Sequence, residues 1–318
     1  MNKAKQVYVT YIRSTPEKVW DAITNPEMTR QYWGYNQASE WKPGAAWEHR
    51  RIGDPSVAHV AGKVIETAPP KRLVVTWANA ADVNNPDKVS RVTFELENLE
   101  DVVCLTVTHS ELEPDSDMLR GISRGWPLVL SSLKSLLETG KPIDILFLKS
   151  VRDAGGGEAG HGHAGVLQGA KEMSNSKFLY VTYIRTSAEK VWDALTNKEL
   201  MKTYWFNMYQ ESSWTAGSPW EMKDSKGEVW DAGKILESHP PHKLVISWQH
   251  QHHEVARDEG FTRMTYLIET AGPMVKLTVS HESDVENSDL IAKVSGGWPM
   301  ILSSLKSLLE TGEALPRP

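Results

Sequence analysis

The chain has 318 residues, 35 Lys and Arg against 41 Asp and Glu, a formal net charge of −6 and one cysteine. That length suits two domains, each large enough to bury a core, and the acidic balance argues against nucleic acid as the main partner. Lone Cys104 excludes an internal disulfide framework or a thiolate metal site. No stretch approaches the ~20 apolar residues that span a bilayer, and Met1 to Gln6 carries no apolar signal core, so a cytoplasmic protein away from membranes is expected.

In chain order, Val7 to Arg13 alternates as a strand. Ser14-Thr15-Pro16-Glu17 is a capping box with an early proline, and the short helix it opens should end at Asn25-Pro26. Trp41 to Trp47, with Pro43 and Gly44 between them, fits a hairpin. Gly62 to Thr67, Leu73 to Trp77, Arg91 to Glu97 and Val102 to His109 follow as strands; most alternate as in a half-buried antiparallel sheet. Ile122, Trp126, Val129, Leu130, Leu133, Leu136 and Leu137 then form one apolar helical stripe. Pro127 should kink or restart that helix, and Gly140 should stop it.

The whole series occurs twice. Tyr8 to Arg13 returns as Tyr180 to Arg185, Glu17 to Ala22 as Glu189 to Ala194, and Ser131 to Gly140 is identical to Ser303 to Gly312. A period this long means a duplicated domain rather than a solenoid. Of the 13 tryptophans only Trp230 lacks a counterpart. The reading is therefore domain 1 over 1–140, a flexible Gly-rich linker over 141–176, and domain 2 over 177–318. In the linker, Ile143 and Ile145 to Leu148 form an apolar patch suited to docking on the first domain. Similar domains on one chain often pair as in a symmetric homodimer, so an internal pseudo-dimer is expected.

Strand, capping box, Val19-Trp20-Asp21-Ala22, Asn25-Pro26 and Tyr32-Trp33 together resemble the opening of the START-like (SRPBCC) superfamily. Gly125-Trp126-Pro127 followed by Leu130 to Glu138 is similar to the close of its branch of activator of Hsp90 ATPase homologues. Both copies carry both ends. The resemblance implies an α+β helix-grip fold, a curved antiparallel sheet wrapped around the long C-terminal helix with an apolar cavity between. It implies non-enzymatic binding of a small hydrophobic molecule there, or a co-chaperone role on an Hsp90-type ATPase, or a cyclase- or hydrolase-like activity. Fold alone does not choose among these.

Trp33, Trp77 and Trp126, with Trp205, Trp248 and Trp298, are the candidate ligand-binding rings, since indole offers a broad apolar face and one donor. The same rings could simply fill a core. His109 and His281 lie in phase with the apolar side of their strands and could bond a ligand or move a proton; pairing with backbone, Glu111 or Glu282 is the structural alternative. His250, His252, His253 and Glu254 crowd one loop, read as solvated polar residues because the first repeat has no equivalent and coordination is geometrically strict. Arg13, Arg185, Arg91 and Arg263 are assigned to salt bridges at the sheet rim. Nucleophile-elbow, Walker, dinucleotide and zincin motifs do not occur, so neither cofactor nor metal is expected.

Overall fold

The computed structural model describes residues 3–54, 56–144 and 176–317. It divides into two compact units, one up to Leu146 and one from Phe147 to Arg317. Most of the Gly-rich stretch, including Ile145 to Leu148, lies outside the described residues.

In the first unit β1 (Ala4–Arg13) leads to α1 (Pro16–Thr24) and α2 (Pro26–Trp33). Next come β2 (Tyr35–Ser39), β3 (Ala46–Arg51), β4 (Ala58–Ala68), β5 (Arg72–Asn79), β6 (Ser90–Leu99), β7 (Val102–Leu112) and α3 (Asp117–Thr139). The strands form one antiparallel sheet in the order β1-β7-β6-β5-β4-β3-β2. The second unit repeats this with β8 (Ser176–Ile184), α4 (Ala188–Thr196), α5 (Lys198–Tyr204), β9 (Tyr209–Ser212), β10 (Pro219–Lys223), β11 (Val229–His239) and β12 (Lys243–His250). A short α6 (Glu254–Asp258), β13 (Thr262–Ala271), β14 (Met274–Ser283) and α7 (Asp289–Thr311) complete it, with sheet order β8-β14-β13-β12-β11-β10-β9. This is the expected duplicated helix-grip architecture.

Local chemistry explains the elements. Thr15 caps α1 by accepting from the Lys18 N–H, and Pro16 stands at its first position. Asn25 ends α1 and at once caps α2 through the Glu27 N–H, so Asn25-Pro26 starts a second helix where the sequence reading saw only an end. Proline at a helix start costs nothing, because that N–H has no partner there. The same residue type gives a different outcome at Pro127, which sits inside an unbroken α3 rather than restarting it. Packing of the stripe from Ile122 to Leu136 holds the helix together across the missing hydrogen bond.

Each unit has its own apolar core between sheet and terminal helix. Trp47 and Trp220 are fully enclosed, each contributing on the order of 4 to 6 kcal/mol of gross burial. A buried ion pair ties the helix to the first strand: Lys134 Nζ donates to the Tyr11 carbonyl at 2.7 Å and to Glu138 Oε1 at 2.5 Å, and Glu138 Oε1 also accepts from the Arg13 N–H at 2.8 Å. Lys306, Tyr183, Glu310 and Arg185 repeat the arrangement. Chain beyond Gly140 still packs on the first unit: Ile143 is buried, and its N–H and carbonyl both bond the Ser132 hydroxyl. In the second unit the Leu315 N–H donates to the Ser304 hydroxyl.

Candidate functional site

The concave face of the sheet places the sequence-predicted residues together in each unit. In the first, Trp33 comes from the end of α2, Trp77 from β5, His109 from β7 and Trp126 from α3. Their rings lie in mutual contact, with centroids 6.1 Å apart for Trp33–Trp77, 5.2 Å for Trp33–Trp126 and 5.7 Å for Trp77–Trp126. His109 is 0% exposed and bonded at both nitrogens. The Trp126 indole N–H can reach only a bare Nδ1, at 3.2 Å. Nε2 therefore carries the proton and donates to Ser90 Oγ at 2.8 Å, and Ser90 donates to the Trp77 carbonyl at 2.8 Å. Burial pushes the imidazole pKa down to about 3. The alternative pairing with Glu111 does not occur; that carboxylate bonds Arg91 at the rim.

Sequence reasoning missed His49 and Gln37. His49 is buried against Trp33, Trp47 and Trp77 and meets Gln37 Oε1 at 3.3 Å. Desolvation lowers its pKa to about 3. A charged-type residue on a short, irregular strand carried no periodic signal, although its alternation with Trp47 could have marked it as inward. Among the described residues the first unit has an opening at the end of the sheet. A cavity of about 440 Å³ there is lined by Asn79, Asp82, Lys88, Glu111 and Asp117 and reaches Ser90. Its wall is polar.

The second unit keeps the frame and changes the bonding. Trp205–Trp298 centroids are 5.4 Å apart, Trp248–Trp298 6.0 Å and Trp248–His281 5.4 Å. His281 is also 0% exposed, and its Nε2 meets Thr262 Oγ1 at 2.8 Å, while Thr262 donates to the Trp248 carbonyl at 2.9 Å. Here Thr replaces Ser, and Glu282 pairs with Lys177 instead of the imidazole. His281 Nδ1 and Trp298 Nε1, whose counterparts bond each other in the first unit, both lack a partner. Burial lowers the His281 pKa to about 4. Met222 stands where the first unit has His49, so Gln210 turns to accept the Trp220 indole N–H at 2.8 Å.

The loop histidines separate into distinct roles. His250 Nδ1 lies 2.8 Å from Asp231 Oδ1, His252 Nε2 meets the Val229 carbonyl at 2.8 Å, and His253 caps α6. Among the described residues no three His, Cys, Asp or Glu side chains are grouped to hold a metal. Nor is any helix among them long and apolar enough to cross a membrane.

A curved antiparallel sheet gripping one long helix, with an indole and imidazole cluster on its inner face, defines a START-like helix-grip protein, here in duplicate. The chain belongs to the family of activator of Hsp90 ATPase homolog 1-like proteins, whose model matches residues 13–138 and 185–310. No curated protein matches it. Solved structures similar to it include an Aha1 dimer from Colwellia psychrerythraea, 25% identical over 43% of this chain and 98% of that one, TM-score 0.37. An HSP90 activator from Plasmodium falciparum is 22% identical over 42% and 95%, TM-score 0.36. DynU16, from the dynemicin biosynthetic locus, is 18% identical over 96% of this chain and 97% of that chain, TM-score 0.36.

Proposed function

We propose that the chain is a non-enzymatic binding protein whose second unit takes a small, mostly apolar molecule between its sheet and α7. One observation carries this reading: His281 Nδ1 and Trp298 Nε1 are buried polar atoms without partners, in a place where the first unit closes the same two atoms on each other. An unsatisfied buried group costs about 1–3 kcal/mol, so a ligand oxygen that accepts from the indole and donates to the imidazole would recover it. Trp205 and Trp248 supply the apolar walls. The first unit, with both His109 nitrogens engaged, supports a filled structural interior. The same engagement, and the low pKa values of both inner histidines, speak against acid–base catalysis by His109 or His281 at neutral pH.

The test is a titration of hydroxylated apolar ligands, sterols, fatty alcohols and polycyclic phenols, followed by tryptophan emission. Saturable quenching that weakens about tenfold in Trp298→Phe is expected, the loss of one good hydrogen bond. No response across the panel would overturn the reading.

Family membership favours a second reading, action through the surface of the chain on an Hsp90-type ATPase. Stimulated ATP turnover by the purified chaperone supports it; unchanged turnover with no complex at micromolar concentrations removes it.

A further inference from the structure

The second unit carries a pair of groups that the first lacks and that the binding reading leaves unused. Asp231 of β11 and His250 of β12 are directly opposite each other in the strand register. Val60 and Asn79 hold the equivalent register positions in the first unit. His250 is two residues beyond Trp248, so its side chain continues the same face of the sheet towards the open end. Asp231 is only 9% exposed, and desolvation raises its carboxyl pKa despite the His250 bond that lowers it. The 2.8 Å contact to Nδ1 fixes the imidazole tautomer: Nδ1–H donates to the carboxylate, and the Nε2 lone pair is left over. Among the described residues Nε2 has no hydrogen-bond partner, and it is not among the buried unpartnered atoms, so it reaches the surface.

An aromatic surface stands beside it. Trp230, the one tryptophan without a counterpart, sits at the β10–β11 bulge, where the register jumps from Met222↔Asp231 to Lys223↔Val229. A bulge re-aims its side chain. The Trp230 ring lies 6.3 Å from His250 and 5.1 Å from His252, and it is 40% exposed.

We propose that Asp231 and His250 form a proton-accepting site that binds the acidic hydroxyl of an aromatic compound, a phenol, stacked on Trp230. The phenol O–H breaks, its proton passes to His250 Nε2, and the phenolate remains paired with the imidazolium, whose charge Asp231 balances. No other reactant is needed. Ring stacking selects the aromatic body, and an oriented imidazole selects an acidic O–H over an alcohol. Besides Asp231, the charged or titratable groups around His250 are His252, with Glu228 at 3.7 Å, and His253, with Asp289 at 3.4 Å and Lys293 behind it.

The probe is 4-nitrophenol, titrated into the full chain at about pH 6.5, where an isolated imidazole is half neutral and the free probe is still mostly protonated. Saturable binding with growth of the visible phenolate band is expected. His250→Gln should abolish the band and weaken binding about tenfold, the worth of a charge-assisted bond. Asp231→Asn should lose the band while keeping weak stacking, and Trp230→Ala should weaken binding while keeping the band. 4-Nitroanisole, which lacks the hydroxyl, should bind wild type and His250→Gln equally weakly. Wild-type behaviour in His250→Gln, or no saturable band in the wild type, would overturn the proposal. The readout is the probe's own absorption, so it stands or falls separately from the tryptophan-emission test of the interior.

Discussion

At the scale of single residues, the inner histidines decide how the protein responds to acid. His49, His109 and His281 are all held neutral by burial, at about 3, 3 and 4 against 6.5. Between those values the unfolded chain binds the protons that the folded chain refuses, so unfolding is favoured as pH falls. Stability is complete above about 6.5 and is lost progressively below it. Two of the three histidines are in the first unit. Thermal melting from neutral to mildly acidic pH should therefore show a falling midpoint, and His49→Met, the residue pattern of the second unit, should reduce the slope. A pH-independent midpoint in the wild type would contradict the burial account. The roles of these histidines were only half legible in the sequence. Strand phase placed His109 and His281 inward, but their partners Ser90 and Thr262 are on a neighbouring strand, and nothing in a linear pattern reports which hydroxyl a ring nitrogen meets.

Elements are held together by contacts that tolerate no extra atom. Gly62 of β4 faces Thr76 of β5 so closely that an added Cβ would lie 1.9 Å from the Thr76 carbonyl oxygen. That oxygen accepts the Trp47 indole N–H at 2.9 Å, and the absent side chain makes room for the ring. Gly233 meets the Ser247 carbonyl in the same way. Gly62→Ala must spread the β4–β5 pair and should cost about 3 kcal/mol or more in denaturant unfolding; a cost below about 1 kcal/mol would mean that the strands yield. Lys134→Ala should be as severe, about 3–5 kcal/mol, because it strands the buried Glu138 carboxylate. Alternation and capping made five of the first unit's seven strands and its first helix readable, while Trp41 to Trp47 marked only the turn between β2 and β3. The second helix escaped because Asn25-Pro26 is both a stop and a start, and the restart at Pro127 failed because tertiary packing overrides a single missing bond. Lys134 and Glu138, inside the repeated decapeptide, carry no linear signal of the ion pair they bury.

For the whole molecule, duplication was the strongest signal in the sequence, and it explains why so much of the fold followed. What one copy left ambiguous, the other repeated. The copies differ where function would diverge: His49 against Met222, Asn79 against His250, Val60 against Asp231. Such differences are invisible until register aligns them. Each unit encloses its own core and its own complete sheet, so a fragment ending at Leu146 is expected to melt cooperatively alone. A broad, non-cooperative transition would show that it needs its partner.

The central claim is that the second interior receives a ligand polar group and the first does not. The most direct test is a ¹⁵N–¹H spectrum of the indole N–H resonances during titration with the best ligand from the panel, with Trp126→Phe and Trp298→Phe used for assignment. The account predicts that the Trp298 resonance moves downfield and saturates while that of Trp126, already bonded to His109, stays in place. Equal movement of both, or movement of neither at saturating ligand, would contradict it.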